Sequence, residues 1–171
     1  MARMDATRDP RHAGNRLGAL RRWFDTTADA GLPDANDDRI DWLRALPFIA
    51  MHLACLGVFW VGVSPTAVWI ALALYAARMF AITGFYHRYF SHRTFRTSRA
   101  VQFAFALLGA ASVQRGPLWW AAHHRHHHVH ADTAADPHTP RKGFWRSHAG
   151  WFLTRAGFRT DPSRIGDLLR Y

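Results

Sequence analysis

Glutamate is absent from this chain: all twelve carboxylate side chains are aspartates. That absence excludes two common ways of holding a catalytic metal, the soluble di-iron bundle built on Glu-x-x-His pairs and the His-Glu-x-x-His zinc hydrolases. Cysteine is nearly absent too. With Cys55 alone, no internal disulfide and no thiolate-built metal site is possible, and the expected role of Cys55 is that of a small buried apolar residue. Residues 1–44 lack any long apolar run. Their eight Arg and eight Asp cancel, there is no apolar stretch of the kind found in a cleavable signal peptide, and a polar, surface-lying cytosolic arm is expected. Within it LGALRRWF, Leu17–Phe24, fits a short interfacial helix or a plain solvated turn of helix.

What the chain does have is two long apolar runs. ALPFIAMHLACLGVFWVGV covers residues 45–63 without a charge, and TAVWIALALYAARMFAITGF covers 66–85 with Arg78 as its only charge. Each is about 30 Å long as a helix, the thickness of a bilayer's hydrocarbon core. The link around Ser64 and Pro65 leaves room only for a tight hairpin. Two antiparallel transmembrane helices over 45–86 are therefore expected, with Arg78 snorkelling or facing the protein interior. His52 in the first helix reads as a hydrogen-bonded histidine ahead of a hidden ligand. The hairpin link carries no Lys or Arg, whereas Arg39 and Arg44 precede the first helix and Arg88, Arg93, Arg96 and Arg99 follow the second. The positive-inside rule then puts both ends of the hairpin in the cytoplasm. A shorter apolar stretch, Ala100 to Val113, suits a helix lying at the membrane surface or packed on the hairpin. From His87 onward thirteen basic residues face four Asp. Beside two membrane spans, that excess points to anionic lipid heads or a phosphate-bearing substrate, and no recognition motif accompanies it that would favour nucleic acid.

Histidine is the other abundance. Seven of the chain's twelve lie between Trp119 and His138, on a helix expected to begin after Gly116 and Pro117 break the preceding one. At about 100° per residue, His124, His127 and His128 share one face and can converge on a metal, while His123, His126 and His130 fall on the other side and suit support or a solvated face. His87 and His92 follow the second apolar run in HRYFSH. Five residues apart, they point about 140° from each other on an ideal helix, which suits a site wrapped by a helix end or shared between two metals. Imidazole alone does not choose among zinc, copper, iron and nickel. Five convergent histidines exceed the needs of one typical zinc site, so two metals are the simpler count. At a membrane surface, such a centre suggests iron and oxygen chemistry on a lipid chain.

HRYFSHRTF, HHRHHH and AADPHTPRKGFWRSHAGW resemble the first two histidine boxes and the following signature of the membrane acyl-CoA desaturases, the stearoyl-CoA (Δ9) type and its bacterial relatives, over roughly residues 48–153. The resemblance implies an all-α integral membrane protein, a transmembrane helical hairpin over 45–86 followed by a cytosolic histidine-box region over 87–148 with an interfacial helix, and a truncated segment over 149–171. It implies an O2-dependent oxidoreductase that introduces a cis double bond into a saturated acyl chain at a di-iron centre, with electrons from ferredoxin or a cytochrome b-type donor. Matched residue by residue, His87 and His92 take the first box, His124, His127 and His128 the second, and all five are implied iron ligands. Gln114 and Trp120 match residues that shape the bend of the acyl tunnel, and Arg155 matches a headgroup-contacting arginine. Where the animal enzymes have a coenzyme A-contacting Arg this chain has Ala122, so acyl carrier protein or intact lipid stands beside coenzyme A as the carrier.

The family continues into a second hairpin and a third, HxxHH-type box, whereas no histidine follows His148 here. The resemblance therefore implies the N-terminal portion of a desaturase, its metal sites completed by a frame running past the codon for Tyr171 or, less simply, by a dimer pooling its boxes. Two alternatives differ in kind: a related membrane di-iron hydroxylase, which would make an alcohol, and a membrane-anchored His-rich zinc or nickel binder that catalyses nothing.

Overall fold

The computed structural model describes residues 24–27 and 37–170, and among these every regular element is a helix. Apart from Phe24, LGALRRWF lies outside the described residues, as does most of the arm.

Helix α1 spans Trp42–Val61, with a 3-10 turn at Cys55–Gly57. It starts three residues ahead of the apolar run because Asp41 caps it, accepting from the Arg44 backbone N–H at 3.3 Å and pairing with the Arg44 guanidinium at 2.6 Å. The charge-free run hid this start, since the cap and its arginine are charged. Gly62, at φ 74°, ends α1 in a conformation that costs glycine little. Ser64 then caps α2, accepting from Ala67 N at 3.1 Å, and Pro65 occupies the first turn where its missing N–H costs nothing. Helix α2 covers Pro65–Phe80 and continues as a π-helix over Ala81–Ser91. Both helices are long and apolar enough to cross a membrane. Phe59, Trp60 and Trp69 are 81, 84 and 71% exposed, an outward apolar surface that water would not tolerate but hydrocarbon would. His52 donates through Nδ1 to the Phe48 carbonyl at 2.7 Å and is exposed rather than in the core, and Cys55, expected to be buried, is exposed on the same outward-facing helix.

At 27 residues, α2 with its π continuation exceeds the roughly 20 that a bilayer needs, so its far end stands clear of the apolar band. That end is the core. Ile82, Phe85, Tyr86, Tyr89 and Phe90 pack against Ala121 and Ala122 of α4 (Pro117–His130) and against Ile165 and Leu168 near the C-terminus. Helix α3, Arg99–Ala110, lies on the other side, with Phe105 stacked on Phe85 at 3.8 Å. Its outward residues Phe103 and Leu107 remain exposed, consistent with a short helix packed on the hairpin and facing lipid. Tyr86 is fully buried and its hydroxyl reaches the carbonyls of Ala106 at 2.9 Å and Arg115 at 3.2 Å. Gly109 makes this packing possible, because a Cβ there would run into the Tyr86 ring, 2.6 Å from Cζ. After α4 the chain returns through short turns. Residues 37–41 run antiparallel to 153–156, joined by Asp41 N to Leu153 O at 2.9 Å, Arg155 N to Arg39 O at 3.0 Å and Ala156 N to Asp37 O at 3.0 Å.

Candidate metal centre

His87 and His92 come together through the π turn. On an ideal α-helix they would diverge by about 140°, but in the i to i+5 pattern His92 sits one turn above His87. His92 N donates to His87 O at 3.2 Å and Ser91 Oγ to Tyr86 O at 2.8 Å. The two rings lie 4.8 Å apart. The sequence carries no local rule that announces this turn.

Helix α4 brings the second set. The Nε2 atoms of His92 and His128 each lie 3.0 Å from Nε2 of His124, and the His87 ring is 4.6 Å from that of His124. Donor atoms of these four histidines all fall within 4.8 Å of one another. A metal bound by imidazoles at about 2.1 Å holds two of them at right angles about 3 Å apart, so the donor set fits an ion of imidazole chemistry. Trp120 stacks on His124 at 4.6 Å and walls the group.

His127 does not join them. Its ring is 6.4 Å from that of His124, against 4.5 Å for His128. It belongs to a second group with Asp136 and His138, also within 4.8 Å of one another. His127 donates through Nδ1 to Asp136 Oδ2 at 3.1 Å, and the His138 ring stacks on it at 4.1 Å. Of the three histidines that the helical face groups together, the structure brings His124 and His128 into one cluster and His127 into another. Asp136 and His138 were not legible as site residues; the only hint was their position in the aspartate-proline-histidine run just beyond the helix. On the far side of α4, His123 donates through Nε2 to the Arg159 carbonyl and His126 to the Ala135 carbonyl, both at 2.8 Å. The His130 ring lies beside His126 at 4.7 Å.

The electrostatics favour neutral rings. Burial, followed by the charges of neighbouring histidines, pushes His124 down to about 3. His92 is lowered by burial and then by His87, His128 and Arg125, and burial pushes His123 down to about 4. A neutral imidazole keeps one nitrogen unprotonated, the form a metal binds. Asp136 is pushed up by burial, but hydrogen bonds from His138 N, His127 and Asp132 N outweigh this and hold it below the ordinary carboxylate value.

Arg125, inside the second box, ties the layers together. Its guanidinium donates to Ser91 O and Phe90 O at the end of the π-helix, to Arg164 O, and to both oxygens of Asp167. Asp167 also takes Arg93 at 3.0 Å. Free carbonyls at a helix end need such donors, and this one sits between His124 and His127.

Residues 63–169 match the family model described as fatty acid desaturase. Among curated proteins, the chain is 38% identical over 129 residues to an sn-1 stearoyl-lipid 9-desaturase of Anabaena variabilis, covering 74% of this chain and 47% of the relative. It is 34% identical over 132 residues to a probable acyl-CoA desaturase of Schizosaccharomyces pombe, 74% of this chain and 26% of that one. Delta-9 acyl-lipid desaturase 1 of Arabidopsis thaliana is 33% identical over 138 residues, 77% and 44%. The chain belongs to the fatty acid desaturase family. It spans less than half the length of each of these relatives.

The remaining candidates are Gln114, Trp120 and Arg155. Trp120 Nε1 donates to Gln114 Oε1 at 3.3 Å, and the Trp120 ring is 6.2 Å from both His87 and Tyr86. Gln114 stands between Val113 and Arg115, which adopt φ of 59° and 63°. That left-handed conformation is unfavourable for a β-branched residue and marks a tight, over-determined turn in this desaturase chain. The Arg115 side chain holds the turn from the other side, donating to Phe152 O at 2.8 Å and lying over the rings of Trp119 and Phe158. Arg155 lies elsewhere, its guanidinium 3.5 Å from Asp37, beside the strand-like pairing of 37–41 with 153–156.

Proposed function

We propose that this chain carries the first two histidine boxes of an O2-dependent fatty acyl desaturase that introduces a cis double bond, at the Δ9 position, into a saturated acyl chain. The observation that supports it most is the convergence of His87, His92, His124 and His128, in a family member, at the end of a membrane-length helix. These four would hold one iron and His127 would address a second. Bound there, iron supplies the activation of O2 that an unactivated methylene pair requires. The overall change balances as two hydrogens from adjacent methylenes, O2, two electrons and two protons giving the alkene and two waters. The electrons come from a ferredoxin or cytochrome b-type donor.

The chain's own residues do the rest. The neutral imidazoles each keep one nitrogen lone pair for a metal. Trp120, stacked on His124 and hydrogen-bonded to Gln114, walls off the group on the side where an acyl chain would bend. Arg155 contacts the headgroup. Relatives named for stearoyl-lipid and for acyl-CoA substrates support a fatty acyl substrate of either kind, with acyl carrier protein a third carrier. Both ends of the hairpin face the cytoplasm, where electron donors and soluble thioesters are found.

The test uses membranes carrying the product of the whole reading frame that contains these residues, supplied with O2, reductant, and stearoyl thioester or stearoyl lipid. A new C9 alkene, absent under nitrogen and after His124→Ala, is expected. An alcohol would replace this reading with a hydroxylase, and no oxygen-dependent product from any carrier would overturn it.

A further inference from the structure

His127 differs from the other histidines of its helix in which nitrogen is engaged. His123 and His126 are held through Nε2 by backbone carbonyls, and His124 and His128 turn Nε2 toward each other. His127 is held through Nδ1 by a carboxylate. A neutral imidazole has one N–H, so a proton on Nδ1 leaves Nε2 bare. Which nitrogen of a metal-binding histidine is free is commonly set in this way, by the hydrogen bond the other one makes.

The carboxylate is itself immobilised. Asp136 is fully buried. Beyond His127, Oδ2 accepts from Asp132 N at 3.2 Å and Oδ1 from His138 N at 3.1 Å. Asp132 adopts a left-handed φ of 60°, which turns the chain back so that Asp136 returns beside the helix it has just left. With both oxygens committed, the carboxylate is arranged to orient a ring rather than to leave its partners for an ion. His138, stacked on the His127 ring, limits how far that ring can turn.

We propose that Asp136 is a positioning residue that fixes His127 in the tautomer protonated on Nδ1, apart from the four-histidine group, so that Nε2 is offered to a second metal position. The last clause rests on the two-iron reading; the tautomer lock does not. Direct ligation by Asp136, with His127 and His138, is the competing use of the same three residues.

The product of the whole reading frame that contains these residues, labelled with 15N-histidine and kept metal-free in lipid nanodiscs at neutral pH, tests the lock by long-range 1H–15N correlation, the His127 signals being those lost in His127→Gln. The expected spectrum has a protonated Nδ1 and a bare Nε2. Asp136→Ala, which takes the acceptor away from Nδ1, should shift the proton toward Nε2. A wild-type His127 protonated on Nε2, or mixed, overturns the proposal without recourse to any variant, and so does a tautomer that Asp136→Ala leaves unchanged. Cobalt(II) titration of the same samples then reads the metal. Two ions in the wild type, with the second weakened about 10–100-fold in Asp136→Ala and the first unchanged, is the expected result. A lost second ion with an unchanged tautomer makes Asp136 a ligand and overturns positioning. A single ion with the tautomer as expected leaves the lock standing and overturns the two-metal reading.

Discussion

Two sides of helix α4 carry the same residue type and do different work. On one, His124 and His128 meet His92 with ring nitrogens 3.0 Å apart. On the other, His123 and His126 donate to backbone carbonyls, and Arg125 gathers two carbonyls of the π-helix with Asp167. The first side brings ring nitrogens within reach of one another, a donor set that a cation would fit. The second uses its donors to fasten α4 to its neighbours. Histidine content alone therefore says little; the partner of each ring nitrogen decides the role.

The sharpest way to break this comparison is to remove one ring from each side. His124→Ala should weaken cobalt(II) or iron binding about 100-fold or more, since a ligand is lost outright where even supporting residues cost 10–100-fold. His126→Ala should change it less than about threefold. Equal losses in a titration of the two purified variants would sink the division into a binding and a fastening side.

The fastening side has its own acid signature. His123 is buried with its pKa pushed down to about 4, so the unfolded chain, near 6.5, binds a proton that the folded chain refuses. Stability contributed by the neutral ring is present above about pH 6.5 and falls as pH drops toward 4, by on the order of 3 kcal/mol in total. His123→Phe removes that dependence but leaves the Arg159 carbonyl without its donor, costing about 1–3 kcal/mol at neutral pH. Melting curves in detergent should show the variant less stable than wild type at pH 7.5 and the gap closing by pH 5. A gap constant over that range would mean that His123 is not the buried neutral donor described.

Gly109→Ala attacks the support of the first box instead. The added methyl meets the Tyr86 ring, and Tyr86 adjoins His87 on the π-helix. Overpacking of this kind costs about 1–3 kcal/mol. Thermal unfolding should report that loss, whereas Gly116→Ala, where a Cβ meets nothing within 4 Å, should be close to neutral in contacts.

Much of this was readable in advance. Ser64 and Pro65 marked a tight link and Gly116 and Pro117 a break, though the helices start at the prolines themselves; the two apolar runs became membrane-length helices; and a 100° step set His124 and His128 apart from His123 and His126 while grouping His127 with the first pair. Three features were not readable, for one physical reason: each depends on where a distant backbone group or side chain lies. The π turn that closes His92 onto His87 is invisible to an α-helical wheel. The departure of His127 depends on Asp136, nine residues on and outside the helix. Arg125 looked like one more basic residue, but its partners are 34 to 42 residues away.

That last dependence gives the smallest effect. Arg125 and then Arg93 hold the Asp167 carboxyl well below the usual carboxylate range. Because its folded value is depressed, the stability it contributes is fully present above the unfolded value near pH 4 and is lost as pH falls below it. Asp167 is partly exposed, so screening reduces the contribution to roughly 1 kcal/mol. Asp167→Asn should lower the melting temperature by a few degrees at pH 7, with the difference shrinking below about pH 4, where the unfolded chain's carboxyl takes up a proton that the folded one still refuses. Because Asp167 fastens Arg93, just after the first box, and Arg125, inside the second, the same variant sharpens the comparison between sides. If metal affinity falls along with stability, the fastening side sets the spacing of the ligands; if only stability falls, the carbonyls of Phe90, Ser91 and Arg164 hold Arg125 well enough without the carboxylate.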